Sequence, residues 1–339
     1  MNMLAINYPS WIHPEIFPGV PVLGLIRWYG LMYIFAFTAA FFVTKRLLKE
    51  NFITNNGEAL GEAVTEDDFF SCFTTGILFL LIGARVFSTL VYDSSGRYLQ
   101  KPWLIFWPFD DEGAFTGLAG MSYHGGFLGA TFGIVLWCVM NKKNPFQWLD
   151  LFAIAIPAGY TFGRLGNFLN GELFGRITTM PWGMIFPDAR KYSFSVPHIA
   201  EFAEKAGVAP PDGSLLVNLP RHPSQLYEAF FEGIFLFVIL WLLRKYRPFD
   251  GFFAALYAIG YGAVRFVIEY FREPDIDLGY RIETVKDAPT YMNVSLLNLS
   301  TGQIFCLGMI SIALIYIIVR LVYDRRKIES KIDGKRSSV

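Results

Sequence analysis

Cysteine is scarce. Cys72, Cys138 and Cys306 are the three in 339 residues, and each lies inside an apolar run without metal-ligand spacing, which gives little ground for a disulfide frame or a zinc site. They read as small packed hydrophobes. Charge is scarce as well: charged side chains make up 17% of the chain, and 29 acidic residues cancel 29 basic ones. No global field therefore draws nucleic acid, and no basic DNA-binding face is present. Low-complexity tracts and convincing internal repeats are missing. Met1 to Phe17 lacks the basic start and unbroken apolar stretch of a cleavable signal peptide, since Pro9 and Pro14 interrupt it. It is expected to lie at a membrane interface, extended or as a short amphipathic segment.

What the chain does have is apolar length. Hydrophobic residues reach 53% and aromatic ones 17%, which argues against a soluble two-domain enzyme. Crossing about 30 Å of hydrocarbon takes roughly 20 apolar residues, and seven stretches qualify. They are Val22 to Thr44, Phe69 to Tyr92, Gly120 to Met140, Trp148 to Leu169, Ser224 to Leu243, Gly251 to Phe271, and Gln303 to Val322. All should be helical, because backbone groups in lipid must be satisfied within their own segment and the alternation of a membrane barrel is absent.

Basic residues follow every second stretch: Lys45, Arg46 and Lys49; Lys142 and Lys143; Arg244, Lys245 and Arg247; and the run from Arg325 to Arg336. The positive-inside rule then places the N-terminus outside and the C-terminus in the cytoplasm. The expected architecture is an all-α polytopic membrane protein with seven transmembrane helices and a small periplasmic cap. Residues 1–21 form an interfacial segment, 22–322 the helical domain with a cap loop 171–223 and an outer loop 273–301, and 323–339 a basic cytoplasmic tail.

Five arginines sit in or beside the stretches, where a cation at mid-depth costs about 2.5–3.5 kcal/mol. Arg320, near the cytoplasmic end of the last stretch, reads as a snorkelling side chain. Arg27 is open between that role and a site, and Arg85 between a structural ion pair and a site. Arg164 and Arg265 come with clusters. Gly163-Arg164-Leu165-Gly166-Asn167-Phe168-Leu169-Asn170-Gly171-Glu172 puts a guanidinium, two carboxamides and a carboxylate among glycines that permit close approach. Arg164 and Asn167 are three apart and share a helix face, while Arg265 can pair with Glu269 four residues on, one turn after Tyr261. Two further clusters belong to the outer face: Tyr123-His124-Gly125-Gly126, whose imidazole can exchange a proton near neutral pH, and Arg221 to Glu228, where Ser224 is a candidate N-cap.

Two cations at one depth with His, Glu, Asn and Tyr nearby suit an anionic phospholipid, because guanidinium groups fork onto phosphate oxygens. Spacing alone goes no further. Together with Arg27-Trp28-Tyr29-Gly30-Leu31-Met32-Tyr33 and Tyr261 to Glu269, these motifs resemble, in order from about Tyr29 to Arg272, the prolipoprotein diacylglyceryl transferases.

That resemblance implies a multi-pass enzyme of the bacterial inner membrane, with its site facing the periplasmic leaflet. It would move the diacylglyceryl group of phosphatidylglycerol to the lipobox cysteine of a preprolipoprotein signal peptide. A thioether forms and glycerol phosphate leaves. By the same resemblance Arg164 and Arg265 hold the phosphate, and His124 deprotonates the thiol or places the head group. Asn167, Glu172, Glu269, Tyr29 and Tyr261 orient the glycerol or the arginines, with Glu172 and Glu269 as alternative bases. The substrate supplies the nucleophile, and no metal or organic cofactor is called for. Ala119 stands where the family usually has a second glycine, and Asp110-Asp111-Glu112 and the loops 188–219 and 274–301 match no family feature. A secondary transporter or binding protein for an anionic phospholipid or organic anion is the alternative, although such transporters usually show paired inverted repeats and a midplane site.

Overall fold

A computed structural model describes residues 5–20, 26–53, 64–92, 96–109, 113, 120–274 and 279–336. The start of the first expected span at 22–25, the acidic residues 110–112 and the position of Ala119 lie outside the described residues. The chain forms two compact units: Met1–Val43 with Ala153–Val339, and Thr44–Phe152.

The elements follow the apolar pattern. Helices α1 (Trp28–Lys49), α2 (Glu66–Phe87), the short α3 (Arg97–Gln100), α4 (Tyr123–Met140) and α5 (Pro145–Leu169) come first, then α6 (Pro197–Ala206). Next, α7 (Ser224–Tyr227) runs through a π-helical stretch, Glu228–Phe235, into α8 (Leu236–Leu243). Helices α9 (Phe252–Ile268) and α10 (Thr301–Arg336) close the chain. Each of the seven expected stretches thus contains a helix. Trp28–Lys49, Glu66–Val91, Ser224–Leu243 and Thr301–Lys327 are long and apolar enough to cross a membrane, and His124–Met140 and Phe252–Ile268 are shorter apolar helices. Helix α5 is less greasy because Gln147, Asp150, Arg164 and Asn167 interrupt it. Helix α10 leaves Ile312 71% and Ile318 59% exposed, a lipid-facing surface rather than a watery one. The protein is a multi-pass helical membrane protein.

In the second unit, Thr65 caps α2 by accepting from Asp68 N at 3.0 Å, and Ser122 caps α4 by accepting from Gly125 N at 3.2 Å. The acidic first turn of α2 meets basic helix ends: Lys45 Nζ lies 3.2 Å from Glu66 and Lys143 Nζ 2.9 Å from Asp68. Helices α2 and α4 touch backbone to backbone. A Cβ on Gly125 or Gly129 would overlap the carbonyls of Gly83 and Phe79 respectively, so small residues spaced by four set this crossing. Gly129→Leu is accordingly expected to destabilise the unit by about 1–3 kcal/mol or more through overpacking. Thermal unfolding in detergent checks this, and an unchanged midpoint would refute it. Arg85 is buried, donating through Nε to Ile105 O at 2.5 Å and through Nη1 to Gly120 O at 3.2 Å, with Tyr98 beside it at 5.6 Å. Both acceptors are backbone carbonyls, so the guanidinium ties α2 to the chain at Ile105 and Gly120.

In the first unit the fold is not wholly α-helical. Six strands of two or three residues pair into three small sheets. β1 (Ile6–Asn7) pairs in parallel with β2 (Met184–Ile185), so the N-terminal segment docks as a strand. β3 (Tyr192–Ser193) pairs with β4 (Leu216–Val217), and β5 (Tyr280–Ile282) with β6 (Leu299–Ser300), both antiparallel. The two loops that matched nothing in sequence fold together. Ile177, Tyr192, Ile199, Ala203, Val217 and Leu219 form a core against which Tyr291 and Met292 of the later loop pack.

Candidate active site

Charged groups inside a helical membrane protein survive only when paired, and three helices of the first unit share that burden. Near the end of α5, Arg164 Nε donates to Tyr160 Oη at 2.7 Å and lies 2.9 Å from Glu228 Oε2 in the π-helical stretch. From α9, Arg265 Nη1 lies 3.3 Å from the same Glu228 oxygen and 3.7 Å from Glu232 Oε1, while its Nη2 is 2.8 Å from Glu269 Oε2. Glu228 and Glu232 are fully buried. Two guanidiniums from different helices therefore converge on one carboxylate oxygen. The hydrogen bonds of Arg164 run from Nε, to Tyr160, and from Nη1, to Asn167.

Local sequence explains the convergence. The π-helical widening sets Glu228 and Glu232 on the buried side while Phe230, Phe231, Ile234 and Phe235 stay exposed; such bulges recur where function needs an unusual register. Gly233 lets the stretch close on α5, because a Cβ there would run into Thr161 Oγ1. On α9, Gly262 faces Ile310 and Met309, and Gly302 of α10 sits where a Cβ would be 3.0 Å from Glu269 Oε1. Ser300 Oγ donates to that same oxygen at 2.9 Å.

Arg164 Nη1 donates to Asn167 Oδ1 at 3.3 Å, and Asn167 Nδ2 to Glu172 Oε1 at 3.0 Å. Gln225 Nε2 fixes the turn by donating to Glu172 O at 2.6 Å. Tyr8, from the N-terminal segment, donates to Phe168 O at 2.8 Å and satisfies the carbonyl end of α5. Tyr29 packs against Gly166 and shares a 3.2 Å hydroxyl contact with Tyr33. Tyr261 meets Tyr160 edge to face at 5.9 Å. The structure thus assembles Arg164, Asn167, Glu172, Arg265 and Glu269 into one polar network, with Tyr29 and Tyr261 packed at α5. His124 belongs to the second unit, exposed in the first turn of α4.

Sequence reasoning missed three members. Glu228 entered only as the end of a polar run, and Glu232 and Tyr160 did not enter at all. The signal was there: Glu228 and Glu232 are two carboxylates four apart in an apolar stretch, subject to the same membrane cost that singled out the arginines. One other expectation needs correction. Ser224 is not a cap; its hydroxyl donates to Leu173 O at 3.2 Å. Arg27 stands directly before α1, exposed and bridged in backbone to Glu15, at the margin where the sequence put it.

Two further buried arginines hold the loops of the first unit. Arg221 donates to Gly175 O at 3.1 Å and Tyr192 Oη at 2.7 Å and pairs with Glu273. Arg176 donates to Arg272 O and Met292 O, each at 2.8 Å, and to Tyr280 Oη. His222 is wedged against Phe271, with its Nδ1 3.2 Å from Tyr227 Oη. Burial first, and the Arg176 charge second, push its imidazole down from 6.5 to about 4. A base with a depressed folded pKa is stabilising while neutral. Its contribution is complete above 6.5 and drains away as the pH falls towards 4, where the folded imidazole also protonates. Wild-type thermal midpoints are expected to fall between pH 6.5 and 4 by more than those of His222→Gln; parallel curves would sink the assignment.

Comparison with known proteins settles the lineage. The family profile described as prolipoprotein diacylglyceryl transferase matches residues 20–319. The chain belongs to that family. It is 51% identical to the phosphatidylglycerol--prolipoprotein diacylglyceryl transferase of Treponema denticola, covering 98% of this chain and 100% of the relative. It is 50% identical to the Treponema pallidum enzyme of that name over 91% and 93%, and 38% identical to the one from Chlorobaculum tepidum over 97% of each. As a member of this transferase family the chain is an enzyme of lipoprotein biosynthesis, and the paired arginines lie inside the matched region. Arg320 lies just past it. It is about one-third exposed, 3.8 Å from Asp324 and near Phe249 and Tyr323 at 5.6 and 6.0 Å. Arg320→Ala is expected to keep transfer within about twofold of wild type, as an exposed pair contributes little; a severe loss in a transfer assay would contradict that.

Proposed function

We propose that this chain transfers the diacylglyceryl group of phosphatidylglycerol to the lipobox cysteine thiol of preprolipoproteins, forming a thioether and releasing glycerol phosphate. The observation that carries the reading is the meeting of Arg164 and Arg265, 2.9 and 3.3 Å from one buried Glu228 oxygen. That point is a ready anion position between two fixed cations. A phosphodiester engages Nη2 of Arg164 and shares Arg265 Nη1 with Glu228.

The thiolate sulfur attacks the glyceryl carbon bonded to the phosphate oxygen. The carbon–oxygen bond breaks, and its electron pair stays on the departing phosphate. The positioned guanidiniums stabilise the charge growing there. A free thiol ionises near 8.5, so a base assists; within the network Glu172 and Glu269 are the candidates, and the thiol proton leaves through one of them. Asn167 and Glu172 set the orientation of Arg164, Glu269 that of Arg265, and Tyr29 and Tyr261 flank the head group. Basic helix ends support seven spans with the network near the outer leaflet of the inner membrane and the arginine-braced loops as a periplasmic cap.

The test is reconstitution. Purified protein in phosphatidylglycerol vesicles is expected to add one diacylglyceryl mass to a lipobox peptide, and little in phosphatidylethanolamine vesicles. Unmodified peptide, under conditions where a relative works, refutes the reading.

A further inference from the structure

How Arg164 presents its Nη2 depends on how Nε and Nη1 are held, by Tyr160 and Asn167. Tyr160 lies one turn earlier on α5, so its ring sits against the guanidinium, 4.8 Å from centroid to Cζ. Its hydroxyl accepts from Arg164 Nε at 2.7 Å and donates to Glu232 Oε2 across the helix interface. The remaining Glu232 oxygen is 3.7 Å from Arg265 Nη1. One phenol and one buried carboxylate thus link the two cations from behind. Glu232 is poorly placed to act on substrate: one oxygen is taken by Tyr160, and the other lies beside Arg265. A fully buried carboxylate in a membrane span is costly, so its retention needs a structural reason that the phenol supplies.

We propose that Tyr160 and Glu232 are a positioning pair that fixes the roll of the Arg164 guanidinium and thereby presents Nη2 to the phosphodiester. The inference rests on the transfer reading above and adds to it two residues that make no substrate contact. Without the hydroxyl, Nε loses an acceptor while Glu228 remains 2.9 Å away. The guanidinium then rolls to fork onto that carboxylate, turning its ligand edge inward.

Steady-state transfer in phosphatidylglycerol vesicles, with thermal midpoints alongside, tests this. Tyr160→Phe is expected to lower kcat about 10- to 100-fold, the scale of a misplaced catalytic group. KM for the peptide stays near wild type, while the midpoint falls modestly because Glu232 loses a buried hydrogen-bond partner. Glu232→Gln keeps an oxygen for the phenol and stays within about threefold, as a neutral hydrogen bond replaces a charged one. Glu232→Ala falls with Tyr160→Phe, and the double variant falls no further, because both act through Arg164. Wild-type kcat in Tyr160→Phe overturns the proposal, and so does Glu232→Gln dropping as far as Glu232→Ala. If Tyr160→Phe does not fold, the glutamine–alanine comparison decides. An inactive wild type would instead remove the functional reading, and the pair's role with it.

Discussion

Arg265→Ala is expected to abolish diacylglyceryl transfer and also to weaken the fold, whereas Arg164→Ala abolishes transfer with a much smaller structural cost. The asymmetry follows from what each cation faces. Arg265 lies 3.3, 3.7 and 2.8 Å from Glu228, Glu232 and Glu269, so its removal strands carboxylates on two helices. Losing one partner of a buried charge network costs about 3–5 kcal/mol. Arg164 has one ion pair, to Glu228, which keeps Arg265 when Arg164 is gone. On the proposed reading each loss removes one of two groups that stabilise the leaving phosphate, and turnover should fall on the order of 10²–10³-fold or more. Transfer assays and thermal unfolding in detergent on both variants check the pair of effects. Equal midpoints would mean the glutamates are stabilised by something other than Arg265, and full activity in either variant would remove that arginine from the site.

The helices were legible because membrane length is written directly in composition: Ser224 to Leu243 is bounded to the residue by its apolar run. The arginines were legible for the complementary reason, that a cation in such a run must have a partner. What stayed hidden was which partner. Arg265–Glu269 is an i,i+4 pair within one helix and can be read from spacing. Arg164–Glu228 joins residues 64 positions apart, through a π-helical register that no periodicity announces. The loops were opaque for a different reason. Their core is built by long-range contacts such as Ile177 N to Tyr291 O at 3.0 Å and by arginines buried against carbonyls, with no amphipathic repeat to mark them. The N-terminal segment likewise gains its strand only by pairing with Met184–Ile185; alone, two residues carry no strand signal.

Glu228→Gln provides the second large effect, and it separates the anion site from the reaction. With its carboxylate neutralised, the guanidiniums of Arg164 and Arg265 remain at a position that held an anion 2.9 and 3.3 Å from them. Their mutual repulsion, in a region of low dielectric, is expected to lower stability by about 3–5 kcal/mol, the cost of breaking a buried pair. A phosphodiester supplies the missing charge. Phosphatidylglycerol should therefore raise the thermal midpoint of Glu228→Gln by more than it raises that of wild type, where the lipid shares the cations with Glu228, and the excess should vanish when Arg164→Ala is added. Anything that binds only the folded state stabilises it in proportion to the logarithm of its occupancy, so the comparison reads affinity without requiring turnover. Phosphatidylethanolamine, whose head group brings its own cation, is the control. If the two lipids shift the variant equally, the arginines are not reading an anionic head group, and Glu228 is a structural counter-ion whose place the phosphate does not share.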